Sequence, residues 1–313
     1  MPVKWQLIFI YICFNLEKTY KFCYLPRLYY KTLQNPPFKV IGIGAAFSPT
    51  LKANLYEGAR LAIAFKATLV LIHVGEASND KRQQLEEILT HFGNQLSYSI
   101  VFQPGKPVQS ILEATKKHKI DLLILGAVQR ENIVNYYIGS IARKITRKVS
   151  CSILLLINPS IERIPCNHIV VNGLKAKKTA QTVDTAFYFA HTLNTERISI
   201  VEEIRPQEIS VKVEDDKSLR QVSLQKEKLT RREDFRVKQL IDEVPAVYKE
   251  NITITTQAIF GQRGYSIGHY AEVVRADLLV MNASKSGGFW DRVFPHDIEH
   301  ILSELPTDVL IIQ

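Results

Sequence analysis

Cysteine, methionine and tryptophan are scarce in this chain of 313 residues, with four, two and two copies. The cysteines, Cys13, Cys23, Cys151 and Cys166, form no C-x-x-C pair and no ligand-like cluster. That argues against a disulfide framework and fits a reducing, cytoplasmic setting. A spanning apolar run is also missing from the start of the chain: the uncharged stretch from Trp5 to Leu16 is too short to cross a bilayer. Asn15 to Tyr20 offers no small residues for a signal cleavage site. No catalytic constellation is visible, since Ser140 has no neighbouring His–Asp pair and His73 reads as a core or rim histidine. His296 and His300 share a helical face but lack a third ligand, so no metal is assigned. Ser284–Gly288 carries glycine yet matches neither a P-loop nor a dinucleotide fingerprint.

What is present is a globular composition, 46% hydrophobic and 23% charged, in a chain long enough for two cores. The formal charge of +9 is uneven: residues 1–37 carry +4, residues 38–160 carry +7 and residues 161–313 carry −2. A basic front half permits contact with phosphates, nucleic acid or an anionic membrane; a solvated basic surface explains it equally, and no specific nucleic-acid partner follows. Residues 1–37 have no counterpart later in the chain. Two readings of them stand: a basic-aromatic interfacial anchor, the one route to membrane contact, or translated sequence upstream of the true start.

After Pro37 the pattern alternates between apolar strands and helices. Strands are expected at Phe38–Ile43, Thr68–Val74, Leu96–Phe102, Ile120–Gly126 and Cys151–Ile157. Helices are expected from Leu51, from Asp80 to Phe92, after Pro107, and from Ile141 to Val149. The layout then recurs. Asp277–Met281 reproduces Asp121–Leu125 at an offset of 156, and Gly261, Ile267 and Thr307–Ile312 match Gly105, Ile111 and Cys151–Leu156 at the same offset. The fold class expected is α/β: two tandem doubly wound, mainly parallel five-stranded sheets. The domains are 38–160 and 161–313, joined by a linker at Asn158–Pro165. Residues 205–245 read as a charged insertion, in part a mostly exposed helix striped by Leu219, Val222, Leu229 and Leu240. A regulatory arm and a solvated helix packed on one edge are both open.

Between the fourth strand and the next helix lie Gly126, a polar loop and Gly139-Ser140. Strand end, glycine loop and helix N-terminus form a layout that cradles an anion with backbone N–H groups. Gly105 and Pro107 supply a G-x-P turn before the third helix, and an aspartate-led apolar strand follows it. These ordered features resemble the universal stress proteins in their tandem two-domain form. The resemblance covers residues 38–313, closely in the first copy and in degraded form in the second.

The resemblance implies a fold of the adenine nucleotide alpha hydrolase type and an adenine nucleotide, ATP, as ligand. It places that ligand against Ala46, Val74, Gly126, Gln129, Arg130, Gly139, Ser140 and Ile141. Two positions depart from the family's pattern. Ala46 stands where ATP-binding members carry an aspartate, and one lost hydrogen bond lowers affinity about tenfold. Gln129 stands where the second motif glycine is expected. In the second copy Asn282, Lys285 and Pro295-His296 replace Gly126, Gln129 and Gly139-Ser140, and proline removes a backbone donor there. Phe289, Trp290 and Phe294 add bulk, leaving that loop for another contact.

Three functions are consistent with these residues. The first is a non-enzymatic cytoplasmic stress-response protein that binds ATP weakly in its first domain. The second is a nucleotide-independent regulatory or protein-interaction module with an unknown protein partner. The third is a slow ATP hydrolase using Glu131 or Gln129. A homo-oligomer, or an intramolecular pseudo-dimer of the two domains, is expected in each case.

Overall fold

Apolar strands buried on both faces require helices on both sides of the sheet, and the connections between these strands supply them. The computed structural model of the chain describes residues 36–129, 136–137, 139–262, 264–283, 301 and 305–313. The first half runs β1 (Val40–Gly44), α1 (Leu51–Phe65), β2 (Thr68–Val74), α2 (Asn79–Leu89), β3 (Tyr98–Gln103), α3 (Pro107–Lys117), β4 (Leu122–Gly126), α4 (Ser140–Thr146) and β5 (Ser152–Leu156). The second runs β6 (His168–Asn172), α5 (Thr179–Leu193), β7 (Arg197–Ile204), α6 (Asp216–Glu243), β8 (Thr253–Phe260), α7 (Tyr265–Val273), β9 (Leu278–Asn282) and β10 (Asp308–Ile312).

The two expected five-stranded sheets are halves of one ten-stranded sheet, ordered β8-β7-β6-β9-β10-β5-β4-β1-β2-β3. Pairing within each half is parallel. The halves meet through the antiparallel pair β5–β10, with Ile153 opposite Ile311 and Leu155 opposite Val309. Alternate strand residues face opposite layers. Ile41, Ile43, Leu122 and Ile124 join α1, α2, α5 and α6 in one core. Leu123, Leu125, Ile153 and Leu155 join α3, α4 and α7 in the other. Both cores run through the two halves. In the first, Phe38, Phe65 and Phe189 close an aromatic triangle between α1 and α5, with Phe65 and Phe189 centroids 4.9 Å apart.

The repeat extends to single hydrogen bonds. Asp121 Oδ2 accepts from the backbone N–H groups of Lys39 and Val40, at 2.9 and 3.0 Å. Asp277 Oδ2 does the same for Asn167 and His168, at 2.8 and 2.9 Å. The aspartate heading each inner strand therefore ties down the start of its neighbour, a structural role for both. Lys66 and Asn194 end α1 and α5 in the left-handed conformation, φ 54° and 59°.

Strand register also shows how residues 205–245 sit in the fold. Ile41 and Ile169 occupy equivalent places, each opposite the first leucine of the inner strand, Leu122 or Leu278. Their offset is therefore 128 residues. Tyr98 and Ile254 are equivalent at 156. Leu69 and Ile198 are equivalent at 129, so one extra residue lies between β6 and β7 and all the others in the β7–β8 crossover. There α6, with 28 residues, stands where α2 has 11. The charged segment is thus a lengthened element of the fold, started by a capping box between Asp215 and Ser218. Its packed face is Val222, Glu233 and Val237, whereas Leu219 is 51% exposed and lies off it.

The seam carries one charged group. Asp308, at the head of β10, accepts from Ile157 N at 2.8 Å. Burial, aided by the Glu57 charge, pushes its carboxyl up from 3.8 to about 7 despite that bond. Glu57 is itself raised by burial; it accepts from Ser160 N, while Arg60 donates to the carbonyls of Ser160 and Ile161. The linker is strapped to α1 by these bonds. A carboxyl whose folded pKa is raised stabilises fully below its unfolded value, and that contribution is lost as pH rises through about 7. Asp308→Asn should therefore flatten the decline in stability between pH 4 and 7, and gain on the order of 4 kcal/mol at neutral pH. Denaturant midpoints across that range check it; an unchanged slope would contradict the assignment.

Candidate functional site

From β1 the chain steps outward to β2 and β3, then crosses to the other side of β1 for β4 and β5. Strand order reverses between β1 and β4, and a crevice opens beyond their carboxyl ends, the usual ligand position in open α/β sheets. Bare backbone meets there. Gly44 ends β1 and Gly126 ends β4. Ala45 N donates to Ile72 O and Ala127 N to Leu156 O, so the strand ends are held square.

The expected site residues gather around this crevice. Ala46 is exposed just beyond β1, and Val74 is half-buried at the end of β2. Val128–Gln129 pairs antiparallel with Tyr136–Tyr137, Val128 opposite Tyr137. This ribbon makes Gly126 and Gly139 the two stems of one hairpin, a closure that spacing alone did not reveal. Gly139 caps α4 at φ −57°, ψ 154°, without a side-chain bond. Ser140 is the first helical residue, and it is exposed, as is Ile141. Arg130 and Glu131 lie outside the described residues, as do Lys285, the aromatic loop with Phe289, Trp290 and Phe294, Pro295, and the His296/His300 pair. Among the described residues no group of three His, Cys, Asp or Glu side chains could hold a metal.

Two sets of contacts were not foreseen from the sequence. His73, expected as a core or rim histidine, is buried beside the crevice, its Nδ1 donating to Ala45 O at 2.8 Å. A carbonyl only accepts, so Nε2 is left as the acceptor for the Lys81 ammonium, 3.2 Å away. Phe47 packs against the same imidazole at 4.9 Å between centroids. Asn54, in the opening of α1, lays its amide against Gly126: a Cβ on that glycine would stand 3.0 Å from both Oδ1 and Nδ2. Beside the crevice, a cleft of about 830 Å³ between α1 and α2 is lined by Phe47, Lys52, Tyr56, Glu87 and His91.

The second half fills the equivalent space with its own side chains. Asn172 and Asn282, both buried, replace Gly44 and Gly126. By register, Glu202 and Glu203 replace His73 and Val74. Glu203 accepts from Gly264 N and Ile267 N at the opening of α7. Arg236 of α6 donates to Gly173 O, to Glu202 and to Glu233, which also accepts from Arg232. Burial pushes the Glu233 carboxyl up, but its bonds to Arg236 and Arg232 outweigh that and hold it below the usual range. The carbonyl that His73 reaches in the first half is thus taken here by an arginine.

Residues 37–156 match the universal stress protein family. That segment is a universal stress protein domain. The fold of such proteins extends over both halves. A protein of unknown function from Pseudomonas aeruginosa PAO1 is 14% identical, with 88% of this chain and 92% of that one aligned at a TM-score of 0.67. A putative universal stress protein from Pseudomonas aeruginosa UCBPP-PA14 is also 14% identical, covering 88% and 93%, at 0.63. A universal stress protein from Archaeoglobus fulgidus DSM 4304 is 13% identical, covering 88% and 98%, at 0.61. No curated protein matches the sequence significantly.

The first half ends its inner strands in glycine, whereas the second carries an ion network at its strand ends. Arg236→Met would take from Glu202 and Glu233 the guanidinium they share, and removing one partner of a buried pair costs about 3–5 kcal/mol. Urea unfolding of the full chain should register that loss. A change below about 1 kcal/mol would mean the network is solvated.

Proposed function

We propose that this protein is a cytoplasmic stress-response protein whose first-half crevice binds an adenine nucleotide, ATP, without turning it over. The carrying observation is the contrast between the switch points. Gly44 and Gly126 leave backbone bare in the first half, while Asn172 and Asn282 occupy the second. Glycine lets backbone approach a phosphate closely, and the Gly139 N–H stands at the opening of α4 on the same hairpin. The two halves, 38–160 and 161–313, then act as a binding domain and a structural one. Their internal pairing supplies the seam that would otherwise need a second copy.

Ala46 favours a second reading. Without a carboxylate closing β1, the crevice loses an acceptor, and the protein would serve as a nucleotide-independent interaction module. Calorimetric titration of ATP and ADP into the full chain separates the two. Gly139 has φ −57°, which proline adopts without strain, so Gly139→Pro removes one N–H donor and little else. The expected result is micromolar to sub-millimolar binding, weakened about tenfold or more by Gly139→Pro, with no phosphate released. Absence of heat and of any thermal shift at millimolar nucleotide would leave the interaction module standing.

A further inference from the structure

The Asn54 amide has one end bonded and one end free. Nδ2 donates to Thr50 Oγ1 at 3.1 Å, and Thr50 Oγ1 lies 3.2 Å from Ser48 Oγ. Oδ1 is shielded from solvent and has no hydrogen-bond partner. A shielded polar atom without a partner is destabilised. Turning the amide over does not relieve it. Thr50 Oγ1 can donate as well as accept, so a flipped amide would satisfy Oδ1 and strand Nδ2 instead. One end of Asn54 stays unmatched in either orientation, directly beside the bare Cα of Gly126.

We infer that Asn54 reads a sugar hydroxyl of the bound nucleotide, an inference that rests on the reading of the crevice as a nucleotide site. A hydroxyl both donates and accepts, so it matches whichever end of the amide is free. The last torsion of asparagine is broad, so the amide can turn toward the crevice at little cost. Ala46 leaves the end of β1 without a carboxylate, and Asn54 supplies a side-chain acceptor from the neighbouring helix instead. The second half has Thr182 at the equivalent position, with its hydroxyl spent on Lys178 O. Hydroxyl recognition therefore belongs to the first half alone.

The test is calorimetric titration of the full chain with ATP, 2′-deoxyATP and 3′-deoxyATP. The wild type should prefer ATP over at least one deoxy analogue by about five- to tenfold, the worth of one hydrogen bond. Asn54→Ala should bring that ratio close to one. Asn54→Asp keeps an acceptor and should keep the preference, even though its charge weakens binding of every triphosphate. A thermal melt of each variant shows that it is folded. Equal affinity of the wild type for all three nucleotides, or a preference that survives Asn54→Ala, would overturn the role of Asn54 while leaving the nucleotide site intact. Binding of none of the three would overturn the nucleotide reading itself.

Discussion

The antiparallel pairing of β5 with β10 is the constraint on which the rest of the structure depends. It joins two parallel half-sheets into one, so both hydrophobic layers continue across the seam. Because the joining strands run in opposite directions, the carboxyl ends of the two sets of strands point to opposite edges of the sheet. The two switch points cannot share a ligand. Each half is free to change its crevice without disturbing the other, provided the seam and the aromatic triangle of Phe38, Phe65 and Phe189 are kept.

That freedom has been used unequally. Where the first half ends its inner strands in glycine, the second ends them in asparagine. Where the first presents a histidine at the end of β2, the second presents two glutamates, one bound to the opening of α7 and one to Arg236. Arg236 reaches that position from α6, as Lys81 of α2 reaches His73 in the first half. Arg232, Glu233 and Arg236 form an ionic ladder that joins α6 to the strand ends. Buried ion pairs are weak sources of net stability, so specificity of packing is the better account of this ladder. It fixes α6 over the second crevice.

Much of this architecture was legible in the sequence, for definable reasons. Strands buried on both faces give unbroken apolar runs, and a duplicated fold gives a constant offset wherever neither copy has gained residues. Asp121 and Asp277 stood out as repeated strand heads, although their shared task, holding the backbone N–H groups of the adjacent strand, needs the register to be seen. The crossover helix α6 was legible as a charged insertion, but its core-facing side was not, because that side includes Glu233, which no hydrophobic count registers. Glu202 and Arg236 are 34 positions apart, and spacing gives no hint that they meet. The crevice was located by its glycines and His73 was read as a core or rim residue, but the contacts of His73 and Asn54 were not legible, because they come from neighbours on other elements.

One half of the sheet ends its inner strands in glycine and the other fills the same positions from within. Hydrogen–deuterium exchange of the full chain, with and without saturating ATP, tests that most directly. Slowed exchange confined to residues 44–54 and to the peptides carrying Gly126 and Gly139 is the predicted result. Equal slowing around Asn172 and Asn282 would contradict it.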